Sequence, residues 1–251
     1  MVENSEDNSG FDVVNRSLQR VDGKALVNGK PVFAGDFDYP DGLVAGLLES
    51  PKAHAEITDI DTSEAEKVEG VVSVIHHGNV PRVPHTTAGQ GYPEPSPYDA
   101  YVFDKKVRFV GDRVAAVAGE TREAVEKGLE KINVEYRELE PILDPEESAG
   151  SETTIHDEED STGIYDPERN IAANVDIEVG DPEAALGSSD VVVSEKIRTQ
   201  FAQHAPIEPH VSTAYMDEND RLVVRTSTQV PFHVRRILSQ ILDIPIGRIR
   251  V

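Results

Sequence analysis

Cysteine is absent from this chain of 251 residues. Its absence excludes disulfide bonds, thiolate zinc sites, a cysteine nucleophile and cysteine-ligated iron–sulfur clusters within this sequence. Long apolar runs are also missing, and none approaches the ~20 residues that a membrane-spanning helix needs. The first ten residues, MVENSEDNSG, lack the basic start and apolar stretch of a signal peptide. We therefore expect a cytoplasmic protein.

Positive charge is scarce. The chain has 24 Lys and Arg against 47 Asp and Glu, which gives a net charge of −23. A surface this acidic repels phosphate backbones and anionic lipids, so we expect neither a nucleic acid nor a membrane as a partner. Nine of the basic residues are lysine. An acidic, lysine-poor surface is expected of a salt-rich cytoplasm, and an ordinary acidic protein is the alternative.

Common nucleotide-binding and hydrolase motifs are missing as well. Neither GxGxxG nor GxxxxGK[ST] occurs, and the glycine pair at 89–91 is too short to replace them. Without GxSxG, a serine-hydrolase elbow has no support. The pair His76 and His77 follows a predicted strand, where two solvated side chains are the expected outcome rather than a metal site.

One segment, QFAQHAPIEPH (200–210), concentrates groups that could bind a metal. His204, Glu208 and His210 are two imidazoles and a carboxylate, the ligand set of a non-haem iron centre. The prolines in the segment forbid the helix that would bring 204 and 208 onto one face. In an extended chain the three side chains spread over ~20 Å, so we predict no metal site here.

The hydrophobic pattern divides the chain into four parts. Residues 1–10 are polar and without periodicity, which indicates a disordered tail. Residues 11–140 form a compact unit of interleaved strands and helices. Residues 141–169 contain ten acidic residues and one basic residue, which is typical of a linker. A second unit covers 170–251.

Periodicity and capping residues predict the individual elements and an α+β fold. Strands are predicted over 43–48, 57–61, 71–75, 107–110, 114–118, 134–136, 191–197, 222–226 and 248–251. Helices are predicted over 63–70, 121–133, 182–187 and from 231 to just before Pro245. The last helix and strand carry apolar faces that need covering, so we expect a truncated chain or one that depends on another polypeptide.

An ordered series of short motifs runs along the chain. The pieces are NGKPVFAGD (28–36), LVAG (43–46), SPKAHA (50–55), EGV (69–71), VRFVGDRVA (107–115), AVE (124–126), VEYRELEP (134–141), IEP (207–209) and STQ (227–229). In this order they resemble the large subunit of the xanthine dehydrogenase/aldehyde oxidase family, the molybdenum hydroxylases. The resemblance covers about residues 11–251 and depends on the order of the pieces, since none is specific alone.

This resemblance implies an α/β hammerhead domain for 11–140 and a partial α+β molybdopterin-binding domain for 170–251. It also implies hydroxylation of an aldehyde, purine or other N-heterocycle carbon with oxygen from water. The cofactor implied is a molybdopterin-type molybdenum cofactor in the full enzyme, none being bound by this chain alone. Iron–sulfur clusters are expected on another subunit because cysteine is absent here. The resemblance also implies FAD on another subunit, and a homodimer of the full complex is left open.

Three positions are candidates for cofactor contact by resemblance: Gln203, His204 and Gln229. Many members have Gln-x-His before the Ile-Glu pair, whereas here Ala202 stands two before His204 and the glutamine is one position later. Glu208 is expected to anchor a turn by hydrogen bonds. The glycine-rich loop and the base glutamate of the family are absent from the sequence, so no catalytic residue is predicted.

The sequence thus predicts the N-terminal part of a molybdenum-binding subunit that is inactive alone. The alternative is a non-catalytic remnant or assembly module whose last helix docks on a partner chain.

Overall fold

A computed structural model describes residues 13, 16–30, 33–37, 39–87 and 96–251. The predicted disordered tail at 1–10 and the glycine pair at 89–91 lie outside the described residues. None of the helices in the described part is long and apolar enough to span a lipid bilayer.

Six strands build the first unit: β1 Val44–Glu49, β2 Ala55–Asp61, β3 Val71–His76, β4 Lys106–Val107, β5 Arg113–Gly119 and β6 Asn133–Glu138. They form two antiparallel sheets of three strands. In one sheet β5 lies between β1 and β3, and in the other β2 lies between β4 and β6. A short helix, α1 (Gly23–Val27), precedes the sheets and was not predicted.

The helix α2 (Arg122–Glu130) covers one face of the β1–β5–β3 sheet. It begins after Thr121, whose hydroxyl accepts a hydrogen bond from the backbone N–H of Ala124 at 3.1 Å, as an N-cap residue does. Its apolar side meets the sheet in a core without charged groups. That core contains Ala65, Val74, Ala115, Val117, Val125 and Ile132.

Most of the predicted elements of this unit are confirmed, including the helix over 121–133 and five strands. The helix predicted over 63–70 is wrong, since this stretch forms turns. The side chain of Asp61 accepts the N–H of Ser63, and Thr62 bonds to Glu66 through both backbone and side chain. One such turn before Gly70 is too short to nucleate a helix. The strand predicted over 107–110 is also too long, because β4 ends at Val107.

The second unit contains β7 (Ser212–Met216), β8 (Leu222–Thr226) and β9 (Ile249–Arg250). The central strand β8 pairs antiparallel with β7 and parallel with β9. The last α-helix of the chain, α5 (Pro231–Leu242), crosses between β8 and β9. It ends where Asp243 adopts a left-handed conformation, φ 52°. The strand at 222–226 and this helix are confirmed, and β7 was not predicted.

Between β6 and β7 the chain forms two short helices, α3 (Pro145–Ser148) and α4 (Pro182–Ser188). Asp181 caps α4 as predicted, accepting the N–H of Ala184 at 2.9 Å. The strand predicted over 191–197 is wrong: every residue from 172 to 207 is exposed, and α4 is its one element. A strand needs a neighbour for its backbone groups, and none of the described residues supplies one.

Candidate functional site

Gln203 and His204 lie in the exposed stretch that ends at residue 207. The side-chain oxygen of Gln203 accepts a hydrogen bond from the backbone N–H of His204 at 2.9 Å. The neighbouring Phe201 and Ile207 are fully exposed, at 106% and 102%. The segment therefore presents an amide and an imidazole to solvent without a cavity around them.

Gln229 occupies the bend between β8 and α5 and is exposed. Within the described residues, no hydrogen bond joins it to Gln203 or His204. The three predicted cofactor contacts thus lie on two separate segments, and their meeting in one pocket stays a prediction.

Glu208 behaves differently from the residues before it. Its carboxylate accepts a hydrogen bond from the backbone N–H of Ala34 at 3.1 Å, across 174 residues of sequence. Ala34 is buried and starts a single 3₁₀ turn, Ala34–Asp36. The prediction that Glu208 anchors a turn by hydrogen bonds is confirmed. Its carboxylate is directed at this turn, and no group of three metal-ligating side chains occurs in the described residues.

The turn belongs to an N-terminal arm, residues 33–37 and 39, that lies against the second unit. The guanidinium of Arg225 on β8 stacks 3.5 Å from the centre of the Phe37 ring and donates a hydrogen bond to the Tyr39 hydroxyl at 3.2 Å. The ring of Tyr39 lies 5.9 Å from that of Tyr215 on β7. A cation over an aromatic ring is stabilising, so the arm joins the two units.

A cluster of buried charges holds the connecting segment to the first unit. We call residues 155–162 the acidic clasp. Its Asp157 pairs with Lys106 of β4, and its Asp160 accepts hydrogen bonds from Arg82 at 2.9 Å and from the Tyr101 hydroxyl at 2.8 Å.

Glu158 is the most buried acid of the clasp, with a side chain 7% exposed. It pairs with Arg108 and lies 3.3 Å from the Lys106 ammonium. Burial by itself would raise the pKa of Glu158, but the imidazole of His156, 3.5 Å away, and the charges of Arg108 and Lys106 lower the pKa well below its usual range. The carboxylate is therefore ionised wherever the protein is folded near neutral pH.

Sequence reasoning missed this cluster because it treated 141–169 as a linker. The available signal was charge: the acids of that segment, and the adjacent Lys105, Lys106 and Arg108 in an otherwise acidic chain. Opposite charges alone do not give pairing, because surface pairs contribute little. The charges of Lys106, Arg108 and Glu158 are buried, and a buried charge must be paired.

Two family models match the chain in succession. One describes the a/b hammerhead domain of aldehyde oxidase and xanthine dehydrogenase and matches residues 28–140. The other describes a molybdopterin cofactor-binding domain and matches residues 164–251. The chain belongs to the xanthine dehydrogenase/aldehyde oxidase family. Its fold is accordingly a hammerhead domain followed by part of a molybdopterin-binding domain.

One relative is a probable hypoxanthine oxidase of Escherichia coli O157:H7. It is 35% identical to this chain, and the match covers 96% of this chain and 28% of that protein. The nicotinate dehydrogenase large molybdopterin subunit of Eubacterium barkeri is 32% identical over 96% of this chain and 53% of that protein. This chain thus spans between about a quarter and a half of the length of these relatives.

Solved structures of the family share the fold. The CO dehydrogenase of Oligotropha carboxidovorans superposes with a TM-score of 0.73 at 25% identity, covering 94% of this chain and 30% of that one. The aldehyde oxidoreductase of Desulfovibrio gigas gives a TM-score of 0.70 at 23% identity, covering 92% and 25%.

The donor chemistry of the exposed segment fits a molybdopterin-type cofactor, although its geometry is incomplete. The Gln203 amide and the His204 imidazole are neutral groups that can donate N–H hydrogen bonds to the oxygen and nitrogen acceptors of such a group. The hydrogen bond from the His204 backbone N–H to the Gln203 side-chain oxygen uses neither the amide N–H groups of Gln203 nor the imidazole of His204. Both side chains are exposed, so they can meet a ligand or a covering polypeptide.

Proposed function

We propose that this chain is the N-terminal part of the molybdenum-binding subunit of a hydroxylase. The enzyme would insert an oxygen atom from water at a carbon of an aldehyde, a purine or another N-heterocycle. The chain by itself would be inactive, because its sequence contains neither the glycine-rich loop nor the base glutamate that the resemblance implies.

The observation that carries this proposal is the order of the two matched domains. The hammerhead model ends at residue 140 and the cofactor-binding model begins at 164, with the connecting segment between them. The same arrangement accounts for 28% of one relative and 53% of another, so relatives differ about twofold in length. Both a long molybdenum-binding subunit and one divided into two shorter chains are consistent with this range of lengths.

The exposed stretch 172–207 gives physical support. Its apolar side chains are bare in a protein of high charge, with Val179 and Ile197 more than four-fifths exposed. Exposed apolar runs of this size are typical of surfaces that another polypeptide covers. We propose that the remaining part of the molybdopterin-binding domain packs on this stretch and forms the pocket there.

In that pocket we assign cofactor contact to Gln203, His204 and Gln229. A bound molybdenum cofactor would supply the two-electron oxidation of the substrate carbon. The amide of Gln203 and the imidazole of His204 would hold it by N–H donation and orient it. Gln229, at the bend before α5, would contribute from the opposite segment.

Electrons released by this oxidation need acceptors that the chain cannot provide. Since the sequence has no cysteine, the iron–sulfur clusters would be carried by another subunit, and FAD likewise. We propose these two subunits as partners, in a cytoplasmic complex that could also pair with itself.

The alternative is an assembly module without catalysis. The observation that favours it is α5, whose Phe232 is 75% exposed beside a small sheet. A helix with a bare aromatic side chain is suited to docking on a partner chain. The experiment below separates the two functions.

The test is isolation of the native polypeptide that carries this sequence, followed by mass spectrometry, elemental analysis and assay in ¹⁸O-labelled water. We expect either a longer polypeptide or a 27.5 kDa chain in a complex, in both cases with stoichiometric molybdenum and ¹⁸O in the hydroxylated product. A native complex without molybdenum and without label transfer would overturn the proposal and support the assembly module. Molybdenum bound by the isolated 251-residue chain would contradict the expectation that this chain alone binds no cofactor.

A further inference from the structure

The N-terminal arm meets the second unit at the point where the exposed stretch ends. Residues 172–207 are all exposed, and Glu208 is the first half-buried residue after them. Its partner is the N–H of Ala34, which is itself buried. A hydrogen bond between a carboxylate and a backbone N–H is stronger than one between neutral groups.

The residues that follow Glu208 are also held by hydrogen bonds. The Ser227 hydroxyl donates to the carbonyl of Pro209 at 3.2 Å, and the backbone N–H of Val211 donates to that same hydroxyl at 3.3 Å. Val211 also lies next to Gly35 of the arm, since a Cβ added there would be 3.7 Å from its side chain. Residues 208–211 are thus held by both the arm and Ser227, the residue that follows β8.

The backbone between His204 and Glu208 is constrained at two positions. Pro206 has a fixed φ, and the residue before it, Ala205, is held in the left-handed region at φ 45°. The left-handed φ of Ala205 and the fixed φ of Pro206 together turn the chain between His204 and Glu208. An anchor at Glu208 therefore sets the direction in which His204 and Gln203 leave the fold.

We propose that Glu208 is a positioning residue: its bond to Ala34 uses the hammerhead's N-terminal arm to orient the Gln203–His204 pair for the cofactor. This inference rests on the proposed function. It assigns to the hammerhead domain a direct part in shaping the cofactor site, through the arm that carries Phe37 and Tyr39 onto the second unit.

The test uses three variants of the native polypeptide and two measurements, hydrogen exchange at Ala34 and molybdenum content. Glu208→Ala removes the acceptor, so exchange at the Ala34 amide should rise about tenfold and molybdenum content should fall severalfold. Glu208→Gln keeps an acceptor oxygen and should restore most of both. His204→Ala should lower molybdenum content and leave Ala34 exchange unchanged.

A matched control is Glu195→Ala, which alters an exposed glutamate of the same stretch and should change neither measurement. Exchange in β5 reports whether the hammerhead stays folded. Faster exchange at Ala34 with normal molybdenum in Glu208→Ala would overturn the positioning role and leave the proposed function standing. A native polypeptide without molybdenum would overturn both, and a Gln variant as deficient as the Ala variant would show that charge rather than position matters.

Discussion

Glu158 is a residue whose surroundings reverse the usual effect of burial. A lone buried carboxylate is protonated more easily, yet here the pKa of Glu158 is low because two cations and an imidazole face it. Lys106, its partner, is 6% exposed, and a buried ammonium without acids beside it would be strongly destabilising. The pair is therefore a mutual requirement, and each charge is stable because of the other.

We predict that Glu158→Gln lowers the free energy of unfolding by about 3 kcal/mol, because it leaves Arg108 and Lys106 with a partner missing. Since the pKa is lower folded than unfolded, the contribution of Glu158 is present above the ordinary value of 4.5 and is lost as pH falls below it. Chemical denaturation from pH 7 to pH 3 should show a smaller loss of stability in the variant than in the native chain.

The neighbouring Glu159→Gln is the control, since this exposed acid has no partner among the described contacts and should cost less than about 0.5 kcal/mol. Equal losses in the two variants would mean that the clasp does not depend on the buried pair.

At the scale of elements, α2 lies unusually close to its sheet, and glycines permit the approach. A Cβ on Gly46 of β1 would be 2.8 Å from a methyl of Val125 and 3.0 Å from one of Leu129. On the helix, a Cβ on Gly128 would be 3.0 Å from Val117 of β5. Real carbon contacts do not reach these distances, so the glycines fix the separation of helix and sheet.

We predict that Gly46→Ala destabilises the protein by about 1–3 kcal/mol, because the helix must move to admit one methyl group. Thermal unfolding followed by circular dichroism measures the loss. Gly187→Ala in α4 is the matched control: its Cβ meets nothing within 4 Å, and alanine is the better helix former, so stability should stay equal or rise. An unchanged melting temperature for Gly46→Ala would show that α2 is not closely packed there.

At the scale of the whole molecule, charge is the dominant feature. A net charge of −23 makes the folded chain repel itself, and the repulsion acts over the Debye length, ~10 Å at 0.1 M salt and ~3 Å at 1 M. Salt also weakens ion pairs, but the pairs of Glu158 with Arg108 and Lys106 are largely buried and are screened less. Relief of repulsion should therefore exceed the loss of pairing.

We predict that the melting temperature rises when KCl is raised from ~0.1 to ~1 M, as measured by differential scanning calorimetry. Sucrose at equal osmolality is the comparison, because exclusion from the surface also stabilises proteins without screening charge. A larger rise in KCl identifies screening as the cause. A melting temperature that falls with KCl would mean that ion pairs, rather than repulsion, control stability.

The family assignment came from the sequence, as did most elements of the hammerhead unit. The apolar runs of β1, β3 and β5 and the Thr121 cap are local signals, which a single sequence is enough to show. The helix predicted over 63–70 failed because capping residues do not by themselves overcome nucleation. The strand over 191–197 failed because apolar alternation cannot say whether a neighbouring strand exists.

Composition and pattern by themselves determined that this is an acidic α+β chain without cysteine, and the resemblance supplied Glu208 as an anchor and Gln203, His204 and Gln229 as hypotheses. The tertiary structure alone decided where the anchor is attached and that 155–162 is a clasp rather than a free linker. Ion pairs such as Arg108–Glu158 and bonds such as Ala34–Glu208 join residues 50 and 174 positions apart. Such pairing depends on which surfaces fold against each other and on the burial that follows, and neither quantity is written in the local pattern.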